Sequence, residues 1–118
     1  MKKILVVDDE VDLAMMIKTR LEANGFEVMT ASNGKDGLIQ WKKASPDLII
    51  LDITMPGMDG YTFIQESKSQ KLPEVPIIVL TAKPGMKDIF KVEGARDYIV
   101  KPFNNTELLE KINHCLKG

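Results

Sequence analysis

Four short apolar runs in this chain each end in a side chain that could do chemistry. Ile4-Leu5-Val6-Val7 runs into Asp8 and Asp9, Leu48-Ile49-Ile50-Leu51 into Asp52, Ile77-Ile78-Val79-Leu80 into Thr81, and Tyr98-Ile99-Val100 into Lys101. Burying any one of these carboxylates costs several kcal/mol unless something compensates it. A cluster of such acids at a partly solvated edge suits a hard divalent cation, Mg²⁺ or Mn²⁺, which takes oxygen ligands and keeps several waters. The cation relieves the mutual repulsion and keeps the acids ionised. A lysine and a threonine are a point charge and a donor for an oxyanion, most naturally a phosphoryl group. An ionised Asp52 could accept that group as a nucleophile, giving an aspartyl-phosphate. Metal and lysine together would neutralise the equatorial oxygens during in-line transfer.

For these residues to meet, the apolar runs must be neighbouring parallel strands. The strand candidates are Lys3–Val7, Glu27–Ala31, Leu48–Asp52, Ile77–Thr81 and Tyr98–Lys101. Three of them are continuously apolar, as strands covered on both faces should be. Between them the period changes to that of a helix. Leu13, Ala14, Ile17 and Leu21 form one stripe that stops at Asn24-Gly25. Further helices are predicted from about Lys35 to Lys43, from Gly60–Thr62 to Gln70–Leu72, and over Met86–Val92. The last is marked by Asn104 with Glu107 as a capping-box pattern, followed by Leu108, Leu109, Ile112, Cys115 and Leu116. Strand and helix alternating five times predicts an α/β fold, a parallel sheet with helices on both faces. In such a sheet, ligands bind beyond the carboxyl ends of the strands, where all the residues named above fall.

The 118 residues fit a single domain spanning 1–118, and 44% apolar content argues against disorder. A formal charge of −1 lacks the footprint of a direct nucleic-acid binder. No apolar run approaches a membrane span, and a lone Cys115 excludes an intrachain disulfide framework. A cytoplasmic location is the expectation.

The motifs ILVVDDE, PDLIILDITMPGMDG, VPIIVLTA and GARDYIVKPF, in that order, resemble the receiver domains of two-component response regulators, of the chemotaxis-regulator kind, from end to end. The resemblance implies a flavodoxin-like sheet of order 2-1-3-4-5. It implies Asp52 as phosphoacceptor, and Mg²⁺ held by Asp8, Asp9, Asp52 and the backbone carbonyl of Ile53. The phosphoryl group would be bound by Thr81, Lys101 and the backbone of Thr54 and Ala82. Thr81 and Tyr98 would form the switch, Thr54 and Lys83 would tune phosphoryl lifetime, and the Lys101-Pro102 bond would be cis. Gly57 and Gly60 suit a sharp loop beside the site. The implied partners are a histidine kinase or histidine phosphotransfer protein, and an effector or linked output domain reached through the fourth helix, fifth strand and fifth helix. A phosphorylation-dependent homodimer belongs to the same picture. Such a protein is a phosphoacceptor that assists its own transfer rather than an enzyme. The segment from Thr81 to Lys101 is slightly shorter than the family pattern and carries Pro84-Gly85.

Plainer readings stand beside these. Glu10 and Asp12 read as helix-start acids that favour the dipole. His114 reads as an exposed helix residue, Cys115 as a small packed one, and Trp41 as packing for its helix. The competing functions are an interaction module with an inactive site, or a flavin-binding electron carrier. The latter is disfavoured because the acids of DDEVD would repel a flavin phosphate.

Overall fold

The computed structural model describes residues 1–53, 58, 60–82 and 95–117. The apolar runs form strands β1 (Lys3–Val7), β2 (Glu27–Ala31), β3 (Leu48–Asp52), β4 (Ile77–Thr81) and β5 (Ala95–Val100). They make one parallel sheet in the order β2-β1-β3-β4-β5, as the resemblance implied. The described helices are α1 (Val11–Glu22), α2 (Gly34–Ala44), α3 (Gly60–Ser69) and α4 (Asn105–Lys117). The helix expected over Met86–Val92 lies outside the described residues, together with Thr54, Gly57, Lys83 and Pro84-Gly85.

Alternation along each strand divides the core into two layers. Leu5, Val7, Ile49, Leu51, Ile77 and Val79 face α2 and α3, meeting Leu38, Trp41, Phe63 and Ile64. Ile4, Val6, Leu48, Ile50, Ile78 and Leu80 face α1 and α4, meeting Ile17, Leu21, Leu108, Ile112 and Cys115. The Trp41 ring stacks on Phe63 at 5.7 Å, and its indole N–H donates to the Pro73 carbonyl at 3.1 Å, so Trp41 packs α2 as expected. Gly37 is what lets α2 lie so close. A Cβ there would sit 2.9 Å from Phe63 Cε1 and 3.0 Å from Val7 Cγ2.

Helix ends follow the sequence signals. The Asn104 side chain accepts from the Glu107 N–H at 2.8 Å, as its pattern predicted, and Asn33, which the sequence reading did not single out, caps α2 in the same way by accepting from the Asp36 N–H at 2.8 Å. After α1, Gly25 takes a left-handed φ of 89°. One strand departs from expectation: β5 starts at Ala95 rather than Tyr98 and ends before Lys101. Its first residues, Ala95-Arg96-Asp97, carry no apolar run because this is an edge strand, exposed at Arg96. The pairing steps from Ala95 to Asp97 opposite adjacent residues of β4, leaving Arg96 as the extra residue of a bulge.

Candidate functional site

The carboxyl ends of β1, β3, β4 and β5 lie side by side, and backbone bonds carry the ladder one step past each strand. The Asp8 N–H donates to the Ala31 carbonyl at 3.0 Å, Ile53 N–H to Leu80 at 3.1 Å, and Lys101 N–H to Thr81 at 2.7 Å. The functional side chains are thus fixed by rigid sheet backbone rather than by free loops. Strand parity then sets their direction. Asp8, Asp52 and Lys101 continue the alternation toward the α1/α4 layer, whereas Thr81 continues that of Val79 toward α2/α3. Tyr98, paired with Val79, packs against that same α2/α3 layer.

Asp8 is fully buried, and Asp52 and Thr81 nearly so. Lys101 joins the acids. Its Nζ lies 3.0 Å from Glu10 Oε1, 3.2 Å from Asp8 Oδ2 and 3.5 Å from Asp52 Oδ2. The other Asp8 oxygen accepts from the Glu10 N–H at 2.8 Å. Burial would lower the Lys101 pKa, but the hydrogen bond to Glu10 and the charges of Asp8 and Asp52 outweigh it and hold the ammonium above its ordinary value. Among the described residues, Lys101 is the counter-ion that reaches all three acids.

Asp8, Glu10 and Asp52 each bring a carboxylate oxygen within 4.8 Å of the others. This all-oxygen, multiply anionic set has the donor chemistry of a hard divalent cation. Asp9 is exposed and stands outside this grouping. The Ile53 carbonyl accepts from the Gly60 N–H at 3.1 Å, which ties it to the start of α3 and leaves its second lone pair for another partner. Gly60 permits that approach, since a Cβ there would lie 3.1 Å from Ile53 Cα. Ala82 is exposed just beyond β4. Thr54 and Lys83 lie outside the described residues. The Lys101-Pro102 peptide is cis.

Two participants escaped the sequence reading. Glu10, read as helix-start chemistry, occupies the N-cap of α1, yet its side chain makes no cap bond and turns to Lys101 instead. Lys111 of α4 donates to the Tyr98 carbonyl at 2.7 Å and to Asp97 at 3.0 Å, and sits 5.0 Å from the Tyr98 ring centroid. The i, i+4 neighbours of an acid or a lysine were visible in the sequence; a bond 91 positions away was not.

A family model described as "response regulator receiver domain" matches residues 4–113. The chain belongs to the response regulator receiver domains. A probable transcriptional regulator, ycf27, of Porphyra purpurea is 47% identical over 118 residues, covering 98% of this chain and 48% of the relative. The alkaline phosphatase synthesis transcriptional regulatory protein PhoP of Bacillus subtilis (strain 168) is 40% identical, covering 98% of this chain and 49% of the relative. The chain therefore spans about half the length of these curated relatives. Among solved structures, chemotaxis protein CheY4 of Vibrio cholerae superposes with a TM-score of 0.89 at 36% identity, covering 98% of this chain and 99% of that one. The response regulator TrrA of Thermotoga maritima, solved in complex with Mg²⁺-BeF, gives a TM-score of 0.86 at 40% identity, covering 98% and 100%. Receiver membership accounts for the strand order, and among the described residues no helix of this receiver is long and apolar enough to cross a membrane.

Proposed function

We propose that this receiver takes a phosphoryl group onto Asp52 from a phosphohistidine of a histidine kinase or phosphotransfer protein. A carboxylate oxygen of Asp52 forms the new P–O bond as the P–N bond breaks; the leaving histidine nitrogen keeps the electron pair and takes a proton from water. The observation that carries this reading is Lys101 Nζ bridging two buried carboxylates, Asp8 and Asp52, at the ends of adjacent strands, with buried Thr81 at the end of the next strand. Asp8, Asp52 and the exposed Asp9 would hold Mg²⁺ or Mn²⁺, with Glu10 at hand. The bound cation would neutralise charge on the acids and on the transferring group. That a similar regulator was solved with Mg²⁺-BeF supports the assignment.

Lys101 pairs with the phosphoryl oxygens once they arrive, and Thr81 donates to them. The shared layer of Thr81 and Tyr98 lets a shift of one be felt by the other, which supports the aromatic residue as the readout of the switch. Lys111 ties that residue to α4, so β5 and α4 form the face that changes population for an effector or a linked output domain. A homodimer formed on phosphorylation would use this face. In this reading the chain is cytoplasmic, contacts no nucleic acid itself, and is a phosphoacceptor that assists its own phosphorylation and dephosphorylation rather than an enzyme.

Incubation with Mg²⁺ and a small acyl-phosphate donor should add about 80 daltons to the native protein and nothing to Asp52→Asn. No gain, or a gain that survives the substitution, refutes the assignment. Excess chelator should abolish the labelling.

A further inference from the structure

An acid at the start of a helix ordinarily serves the helix, either capping its free N–H groups or facing its dipole. Glu10 does not cap. It holds the N-cap position of α1 with φ −80° and ψ 94°, and its side chain forms no cap hydrogen bond. Instead the carboxylate reaches Lys101 Nζ at 3.0 Å, a shorter contact than the lysine makes to Asp8 or to Asp52. The three acceptors differ in exposure: the side chains are 0% exposed at Asp8, 7% at Asp52 and 60% at Glu10. The shortest contact is therefore the most hydrated one, and a hydrated ion pair is weak and readily released.

We infer that Glu10 is the resting anchor of Lys101, a positioning residue that holds the ammonium on the solvent side of Asp52 and must let go before the lysine can engage a phosphoryl group there. This inference rests on the phosphoacceptor reading for its consequence, but the anchor itself is a property of the unphosphorylated protein. Two effects act together. The lysine must leave Glu10 to reach the new oxygens, and the Glu10 charge repels a phosphoryl dianion arriving on Asp52. Glu10 thus restrains phosphorylation once metal is saturating. At low metal it acts the other way, since its charge attracts the cation.

Two substitutions separate charge from reach. Glu10→Gln removes the charge, whereas Glu10→Asp keeps it on a side chain one methylene too short for the lysine. In metal-free protein, acylation of Lys101 by an amine-selective reagent, read by peptide mass spectrometry against Lys111, should rise roughly two- to fivefold in both variants, the range of an exposed ion pair. An unchanged Lys101 rate overturns the anchor. At saturating Mg²⁺, both variants should gain label from a small acyl phosphate roughly two- to fivefold faster than native protein. Only Glu10→Gln should need more Mg²⁺ for half-maximal rate. Equal or slower labelling at saturation overturns the inference, because a residue of merely structural value would lower both quantities. Native protein that takes no label refutes the phosphoacceptor reading instead, and the acylation rates then judge the anchor alone.

Discussion

Removing the proposed phosphoacceptor should make the protein more stable when no metal is present. In Asp52→Asn the carboxylate loses its 3.5 Å contact with Lys101 and escapes Asp8 and Glu10, both within 4.8 Å. At an effective dielectric constant of about 20, the lost attraction is worth about 4.7 kcal/mol and each relieved repulsion at least about 3.5 kcal/mol. Among these contacts of the described residues, two repulsions against one attraction leave a gain of about 2 kcal/mol, falling to about 0.5 kcal/mol with water-like screening. Glu10 is the more screened of the two acids, which lowers the figure, whereas release of a buried charge from its desolvation cost raises it. A stabilisation of about 0.5–2 kcal/mol corresponds to a rise in Tm of about 2–8 °C for a domain of this size. Thermal and urea unfolding followed by circular dichroism, near neutral pH in excess chelator, reads it directly. Adding Mg²⁺ should stabilise native protein more than the variant and narrow the gap. An Asp52→Asn protein that unfolds earlier than native in chelator refutes the account of a repulsive acid cluster partly neutralised by Lys101.

Lys101→Met should do the reverse, leaving buried Asp8 and Asp52 without their ammonium: lower stability in chelator and a steeper rescue by Mg²⁺, seen in the same unfolding assay. The raised pKa of Lys101 carries a definite sign. The unfolded lysine releases its proton near 10.5, below the folded value, so the stabilisation is complete below 10.5 and is lost as pH rises through the folded pKa. Lys101→Met should flatten that alkaline decline in urea midpoints. Gly37→Ala should destabilise by about 1–3 kcal/mol through overpacking against Phe63 and Val7, although alanine is the better helix former; a stabilised variant would contradict the close approach of α2. Burial, then the nearby Asp97 charge, raises the Cys115 thiol pKa, so a thiol reagent at mildly alkaline pH should modify native protein slowly and at a rate that follows unfolding by urea.

What the sequence made legible was whatever depends on neighbours along the chain. Val6 and Val7, Ile50 and Leu51, Ile78 and Val79 announce doubly covered strands because both faces are apolar in succession. Asn104 and Gly25 act within a few residues of the helix ends they mark. The start of β5 was hidden because an edge strand can expose Arg96 and half-bury Asp97 against Lys111, and its pairing partner rather than its composition makes it a strand. In the site, Asp8, Asp52, Thr81 and Lys101 could be placed because each stands at the end of a strand. The allegiance of Glu10 could not, since local chemistry gave it a sufficient role at α1 and only the folded sheet brings Lys101 to it. The bond from Gly60 to the Ile53 carbonyl was hidden for the same reason, being set by how α3 returns to the sheet.

The division of the core into two layers makes the site sensitive to arithmetic rather than to composition. Conservative exchanges among the apolar residues of β1, β3 or β5 leave the count of residues to the strand end intact, and cores tolerate such exchanges at small cost. Inserting or deleting one residue within these strands turns every later side chain to the opposite layer. Asp8, Asp52 or Lys101 would then be aimed at α2 and α3 while the strand itself remained apolar enough to form. Drift by substitution and drift by length are therefore unequal hazards for this domain, and the second can silence it without unfolding it.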